Sequence, residues 1–156
     1  MFHENGSRSI LLYYTGITRL AKNILEEIVE AMFRKSPSHL KTLAEIAANA
    51  EAGATAIEQC DYDRLAATIR NSWELNQRLD PGTNPPSVQQ ILERVSDLLA
   101  GAKLLGAGGG GYLLMLAKDR EAAVKIRELL AARPPNARAR FIEFALSDTG
   151  LEVTRS

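Results

Sequence analysis

Five of the six residues from Gly106 to Gly111 are glycine, inside the run Lys103-Leu-Leu-Gly-Ala-Gly-Gly-Gly-Gly-Tyr-Leu-Leu-Met-Leu116. Ordering a glycine costs about 0.5–1 kcal/mol relative to alanine, so this density needs a compensating use. A flexible linker is a poor explanation, because such linkers are serine-rich and lie between domains. Here apolar runs that read as buried strands stand on both sides. The remaining uses are a sharp strand-to-strand turn and a close approach of backbone to a ligand. Successive exposed N–H groups make a concave donor surface for an anion or a sugar. Gly106, Ala107, Gly108, Gly109, Gly110 and Gly111 are therefore candidate binding residues. The two common phosphate fingerprints do not fit. A P-loop continues into Gly-Lys-Ser/Thr, whereas Tyr112 follows here. The dinucleotide pattern can be laid over Gly106, Gly108 and Gly111, but it leads into a helix. Tyr112–Leu116 instead reads as another strand.

Other polar residues join these glycines as candidates. Thr15-Gly-Ile-Thr-Arg19 reads as a strand-to-helix junction with two hydroxyls and a guanidinium. Thr15 or Thr18 suits a helix cap. Arg19 is the less expected member, since a cation at a helix N-terminus opposes the helix dipole. It is either a surface ion pair or a ligand contact. Farther along, Leu65, Ile69, Trp73, Asn76 and Leu79 share a helix face, so Asn76 interrupts an apolar stripe. A buried amide without hydrogen bonds costs roughly 1–3 kcal/mol. Asn76 then either caps neighbouring backbone or opens onto a pocket with Trp73 as its wall. The segment Asp80–Pro86 places Thr83 and Asn84 at a helix start, where free N–H groups favour anions. His3 and His39 stand alone, without a carboxylate or cysteine at ligand spacing, so no metal site is expected. Cys60 has no base nearby in sequence and is expected to be inert packing.

The elements that must position these residues follow from periodicity. Ser9–Tyr14 reads as a buried strand, and Ile17, Leu20, Ala21, Ile24, Leu25, Ile28 and Met32 as the stripe of a first helix. A second helix opens at Ser38 with Leu40, Leu43, Ile46, Ala47, Ala50, Ala54 and Ile57 on one side. Asp61 or Asp63 caps the third, which carries Trp73 and Asn76. Asn84 caps a fourth, with stripe Val88, Ile91, Leu92, Val95 and Leu99 and an end at Gly101. After the glycine loop and its two strands, Asp119 caps a helix through about Leu130. Strands over Ala139–Leu146 and Leu151–Thr154 close the chain. This order predicts an α+β, ferredoxin-like split βαβ fold, with helices packed on one face of a mainly antiparallel sheet.

Bulk properties restrict the function classes. A chain of 156 residues with 46% hydrophobic and 24% charged content is the size and composition of one globular domain. Zero formal net charge argues against a broad nucleic-acid or anionic-membrane footprint. A lone cysteine, no apolar run of membrane-spanning length and no leader-like start lead to an expected cytoplasmic setting.

Lys103-Leu-Leu-Gly-Ala-Gly-Gly-Gly-Gly111 resembles the third signature motif of the GHMP kinases, the superfamily of galactokinase, homoserine kinase, mevalonate kinase and phosphomevalonate kinase. Leu12-Tyr-Tyr-Thr-Gly-Ile-Thr-Arg19, Ala21-Lys-Asn-Ile-Leu25, Trp73-Glu-Leu-Asn76 and Leu79-Asp-Pro-Gly-Thr-Asn-Pro-Pro86 are similar to its branch of L-fucokinases and heptose 7-phosphate kinases. The resemblance covers nearly the whole chain. It implies the C-terminal domain fold of that superfamily and a place in a sugar kinase that uses ATP and magnesium. These kinases hold ATP with a Pro-x-x-x-Gly-Leu-Gly-Ser-Ser-Ala-type loop in an N-terminal domain, and no such segment occurs here. The chain is thus expected to be the C-terminal domain alone, inactive by itself, with the missing N-terminal domain, the sugar and ATP as its partners. By resemblance the glycine loop shapes the active site between domains. The alternative is a non-catalytic, small-molecule-binding or regulatory module on the same sheet.

Overall fold

The computed structural model of the chain describes residues 9–17, 29, 30, 33, 36–106 and 109–145. Its strands are β1 (Ile10–Tyr14), β2 (Leu99–Leu104), β3 (Tyr112–Ala117) and β4 (Arg140–Ile142). Its helices are α1 (Pro37–Glu58), α2 (Tyr62–Leu79), α3 (Pro86–Glu93) and α4 (Arg120–Ala132). The strands form one sheet in the order β2-β3-β1-β4, and every pairing is antiparallel. Helices intervene between β1 and β2 and between β3 and β4, so the α+β split βαβ arrangement holds. Arg19, Thr18, Ala107, Gly108, most of the expected first helix and the expected strand Leu151–Thr154 lie outside the described residues.

Strand alternation sorts the core into two clusters, because successive side chains point to opposite faces. Leu11, Tyr13, Ala102, Leu104, Leu113 and Met115 bury against Val88, Ile91, Val95, Ile126 and Leu130. Ile10 and Leu116 bury against Ala56, Leu65 and Ala66. Helices therefore cover both faces, which corrects the one-face expectation. The strands are apolar at odd and even positions alike, as a sheet buried on both sides requires.

Two expected caps form. The Asp61 carboxylate accepts from Arg64 N at 2.9 Å, and that of Asp119 from Ala122 N at 2.7 Å, each satisfying an orphan N–H of a first helical turn. Other expectations change. Leu40 and Ile57, 44% and 45% exposed, face outward from α1. Its inward side carries Thr42 and Ala56 instead. The helix pair α1–α2 is joined by polar and small groups: Asn49 Nδ2 donates to Thr68 O at 2.9 Å, and Gly53 packs toward Thr68. A stripe search for apolar residues cannot see such a seam. The fourth helix ends at Glu93, and a 3-10 turn over Ser96–Leu98 leads into β2. Gly101 sits inside β2, where an added Cβ would lie 2.6 Å from the Ala66 carbonyl oxygen of α2. It permits close helix–strand contact and is no helix terminator. Cys60 is exposed at φ 54 in the turn between α1 and α2, not packed. The last described strand spans only Arg140–Ile142, and Phe144 beyond it is 43% exposed.

Among the described residues no helix is long and apolar enough to cross a membrane.

Candidate functional site

The glycine loop joins β2 to β3 at one end of the sheet, and its described glycines take positive φ: 78° at Gly106, 77° at Gly109, 155° at Gly110 and 93° at Gly111. Side chains rarely adopt such angles, which accounts for the residue type. The loop is fastened on two sides. Gly109 N donates to Thr83 O at 3.0 Å, and Gly111 N donates to Ile17 O at 2.9 Å. A Cβ on Gly110 would fall under 3.0 Å from the Ile17 carbonyl. Close approach is thus real, but its first object is the protein's own backbone. The amides of Gly109 and Gly111 are engaged internally, contrary to the expectation of exposed donors there. Among the described residues, nothing lies within 4 Å of a Cβ built on Gly106 or Gly111.

Thr15 is fully buried and acts as a staple. Its N–H and its hydroxyl both donate to Gly111 O at 2.9 Å, and its Oγ1 accepts from Ile17 N at 3.2 Å. Its hydroxyl proton is committed to Gly111 O, so Thr15 fixes the loop. Gly16, at φ 69°, follows it. Thr83, 2% exposed, lies in a 3-10 turn over Pro81–Thr83, and its Oγ1 is 3.5 Å from Asn76 O. That turn is set by Asp80, whose carboxylate accepts from Gly82 N at 2.6 Å. The glycine loop, the Thr15–Ile17 junction, Thr83 and the C-terminal turn of α2 at Asn76 therefore meet in one place.

Asn84 does not cap α3; Pro85 occupies that position. Its Nδ2 donates instead to Gln77 and Gln89 Oε1, both at 2.9 Å, while its Oδ1 is buried and unpartnered among the described residues. The amide orientation follows from chemistry, since the Nε2 groups of Gln77 and Gln89 are directed to Trp73 O and Glu93. Asn76 is half-buried at the end of α2. Trp73 was expected as a pocket wall. It is 8% exposed in the core, and it lines a cleft of about 310 Å³ between α2, α3 and β2 with Gln89, Leu92, Glu93 and Leu99. A larger cleft of about 570 Å³ is lined by Glu93–Leu98 and α4.

Sequence reasoning missed four residues around the loop. Tyr14 and Tyr112 pair across β1 and β3 directly beside it, with ring centroids 5.2 Å apart, and Arg140 lies over the Tyr14 ring. Their signal was available: one precedes Thr15 and the other follows Gly111. Asn136 donates to Thr15 O at 2.8 Å from across the fold, and nothing in its local sequence indicated this. On β2, burial lowers the Lys103 ammonium pKa, and Nζ donates to Ser72 Oγ at 2.7 Å.

A glycine-rich strand connection on a split βαβ sheet places the chain in a defined class: residues 16–136 match the model of the GHMP kinases C terminal family, and the chain belongs to it. More particularly, it is 51% identical over 146 residues to the L-fucokinase/L-fucose-1-P guanylyltransferase of Bacteroides fragilis, a match covering 94% of this chain and 15% of that protein. It is 32% identical over 121 residues to the bifunctional fucokinase/GDP-fucose pyrophosphorylase of Arabidopsis thaliana, covering 78% of this chain and 12% of the relative. The chain thus spans less than a fifth of the length of these two relatives. Among solved structures, the L. major mevalonate kinase in complex with R-mevalonate superposes with a TM-score of 0.70 at 22% identity, over 85% of this chain and 40% of that one. The Lin0012 protein from Listeria innocua gives 0.76 at 15% identity, over 87% and 38%. At these identities the superpositions establish the fold.

Proposed function

We propose that this chain is the C-terminal, substrate-side domain of an ATP-dependent sugar kinase of the L-fucokinase type, in which the γ-phosphoryl group passes to a sugar hydroxyl. The observation that carries this reading is the convergence of Gly109–Gly111, Thr15–Ile17 and Thr83 on one loop, in a chain half identical to a fucokinase. Phosphoryl transfer depends on positioning and charge stabilisation more than on covalent chemistry by the protein. A loop held rigid from within, with no described residue within 4 Å of a Cβ on Gly106 or Gly111, suits the positioning of a hydroxyl or a phosphoryl oxygen. Asn76 and Asn84 stand on the adjoining wall, and Tyr14 and Tyr112 offer ring faces beside it. Arg19, Ala107 and Gly108 belong to the same stretches by sequence.

This donor set does not fit magnesium, which prefers carboxylates and water oxygens. Asp80, the acidic group on this wall, is turned to Gly82 N. ATP and its metal are therefore assigned to an N-terminal kinase domain that would act as this chain's partner, in a cytoplasmic enzyme. The test uses a full-length parent and a panel of sugars with L-fucose included. Gly109→Val, which cannot hold φ 77° without strain, should lower turnover by about 100-fold or more. Near-wild-type turnover in that variant overturns the site. Sugar phosphorylation by the 156-residue chain alone overturns the division of labour between domains.

A further inference from the structure

Asn136, in the connection between α4 and β4, is placed to control the glycine loop without touching a ligand. Its carboxamide makes three hydrogen bonds. Nδ2 donates to Thr15 O at 2.8 Å, while Oδ1 accepts from Arg138 N at 3.0 Å and Ala139 N at 3.1 Å. Only one orientation of the amide satisfies a carbonyl on one side and two N–H groups on the other. Asn136 also fills the space over Gly16: a Cβ there would lie closer than 3.0 Å to all three of its carboxamide atoms. Gly16 thus serves two needs, a φ of 69° and room for Asn136. From Thr15 the connection continues through two bonds to Gly111 O, and Gly111 N returns to Ile17 O. A residue 121 positions away in sequence thereby fixes the backbone on which the loop rests.

We infer that Asn136 is a positioning residue for phosphoryl transfer, holding the Thr15–Ile17 backbone so that Gly109–Gly111 keep their productive shape; this rests on the kinase reading above. Asn136→Asp isolates the relevant bond. An aspartate keeps an acceptor for Arg138 N and Ala139 N but sets a carboxylate oxygen against the Thr15 carbonyl, where no donor remains. The N–H groups of Arg138 and Ala139 favour its charged form, so the donor to Thr15 O is lost in the carboxylate.

In the full-length parent, Asn136→Asp and Asn136→Ala should each lower kcat by about tenfold or more, with the sugar KM changed by less than about threefold. A purely structural role does not produce this split between kcat and KM. In the 156-residue chain, Asn136→Asp should speed amide hydrogen exchange at Gly111 by roughly tenfold. Unchanged exchange together with a kcat within twofold of wild type overturns the inference. Faster exchange with unchanged kcat sinks the catalytic role while leaving the tether. A wild-type parent that phosphorylates no sugar defeats the kinase reading instead, and the exchange measurement still decides the tether.

Discussion

Alanine at Gly106 and at Gly110 should separate two costs that the glycine loop combines. At Gly106, with φ 78°, an added Cβ meets nothing within 4 Å among the described residues. Alanine there incurs only the left-handed backbone, about 1–2 kcal/mol. At Gly110, with φ 155°, the Cβ would fall under 3.0 Å from both the carbonyl carbon and oxygen of Ile17. That carbonyl cannot swing aside freely, because it accepts from Gly111 N, and the preceding residues are held by Asn136. Overpacking against fixed backbone adds about 1–3 kcal/mol. For a domain of this size 1 kcal/mol moves Tm by about 2–4 °C. At about 3 °C per kcal/mol, the middle of that range, Gly106→Ala should lose about 3–6 °C and Gly110→Ala about 6–15 °C, read by circular dichroism melts of the 156-residue chain. Equal losses, or a larger loss at Gly106, would refute close approach as the reason for glycine at position 110.

Asp61→Ala and Asp119→Ala each remove a carboxylate from a helix N-terminus. Each should cost about 1 kcal/mol in denaturant titrations, and their effects should add because the caps serve different helices. Tyr62 donates its hydroxyl toward Ser9 O and Ala117 O, and burial, aided by the Asp63 carboxylate, pushes its pKa up to about 12 from 10.0. Its neutral form is thus favoured by folding. The corresponding stability is complete below about pH 10 and drains away as pH rises toward about 12, where the unfolded chain ionises first. Tyr62→Phe should flatten that alkaline decline in stability measured against pH; an unchanged slope would assign the decline to other groups.

The order of elements was legible because it is written in local patterns. Asp61 and Asp119 announce helix starts, and the apolar runs around Gly106–Gly111 announce two strands, since caps and strand periodicity depend on near neighbours in sequence. The glycine density pointed to a sharp strand-to-strand turn or to a ligand against the backbone; the turn is there, and Gly110 comes close to the protein's own chain. What it approaches was a tertiary matter: Thr83 and Ile17 lie far from Gly110 in sequence and reach it only because β1 pairs with β3 and α2 turns at Asp80. The same distance in sequence hid Asn136, an ordinary turn residue until the sheet brings it to Thr15. It also misdirected the reading of α1. Sequence marks which residues are apolar, but only the approach of α2 decides that Asn49, Gly53 and Ala56 face inward while Leu40 and Ile57 face out. Trp73 and Asn76, three residues apart, part company for a related reason: α2 meets the β2 edge on one side and the Thr83 turn on another, so neighbours on one helix serve different surroundings.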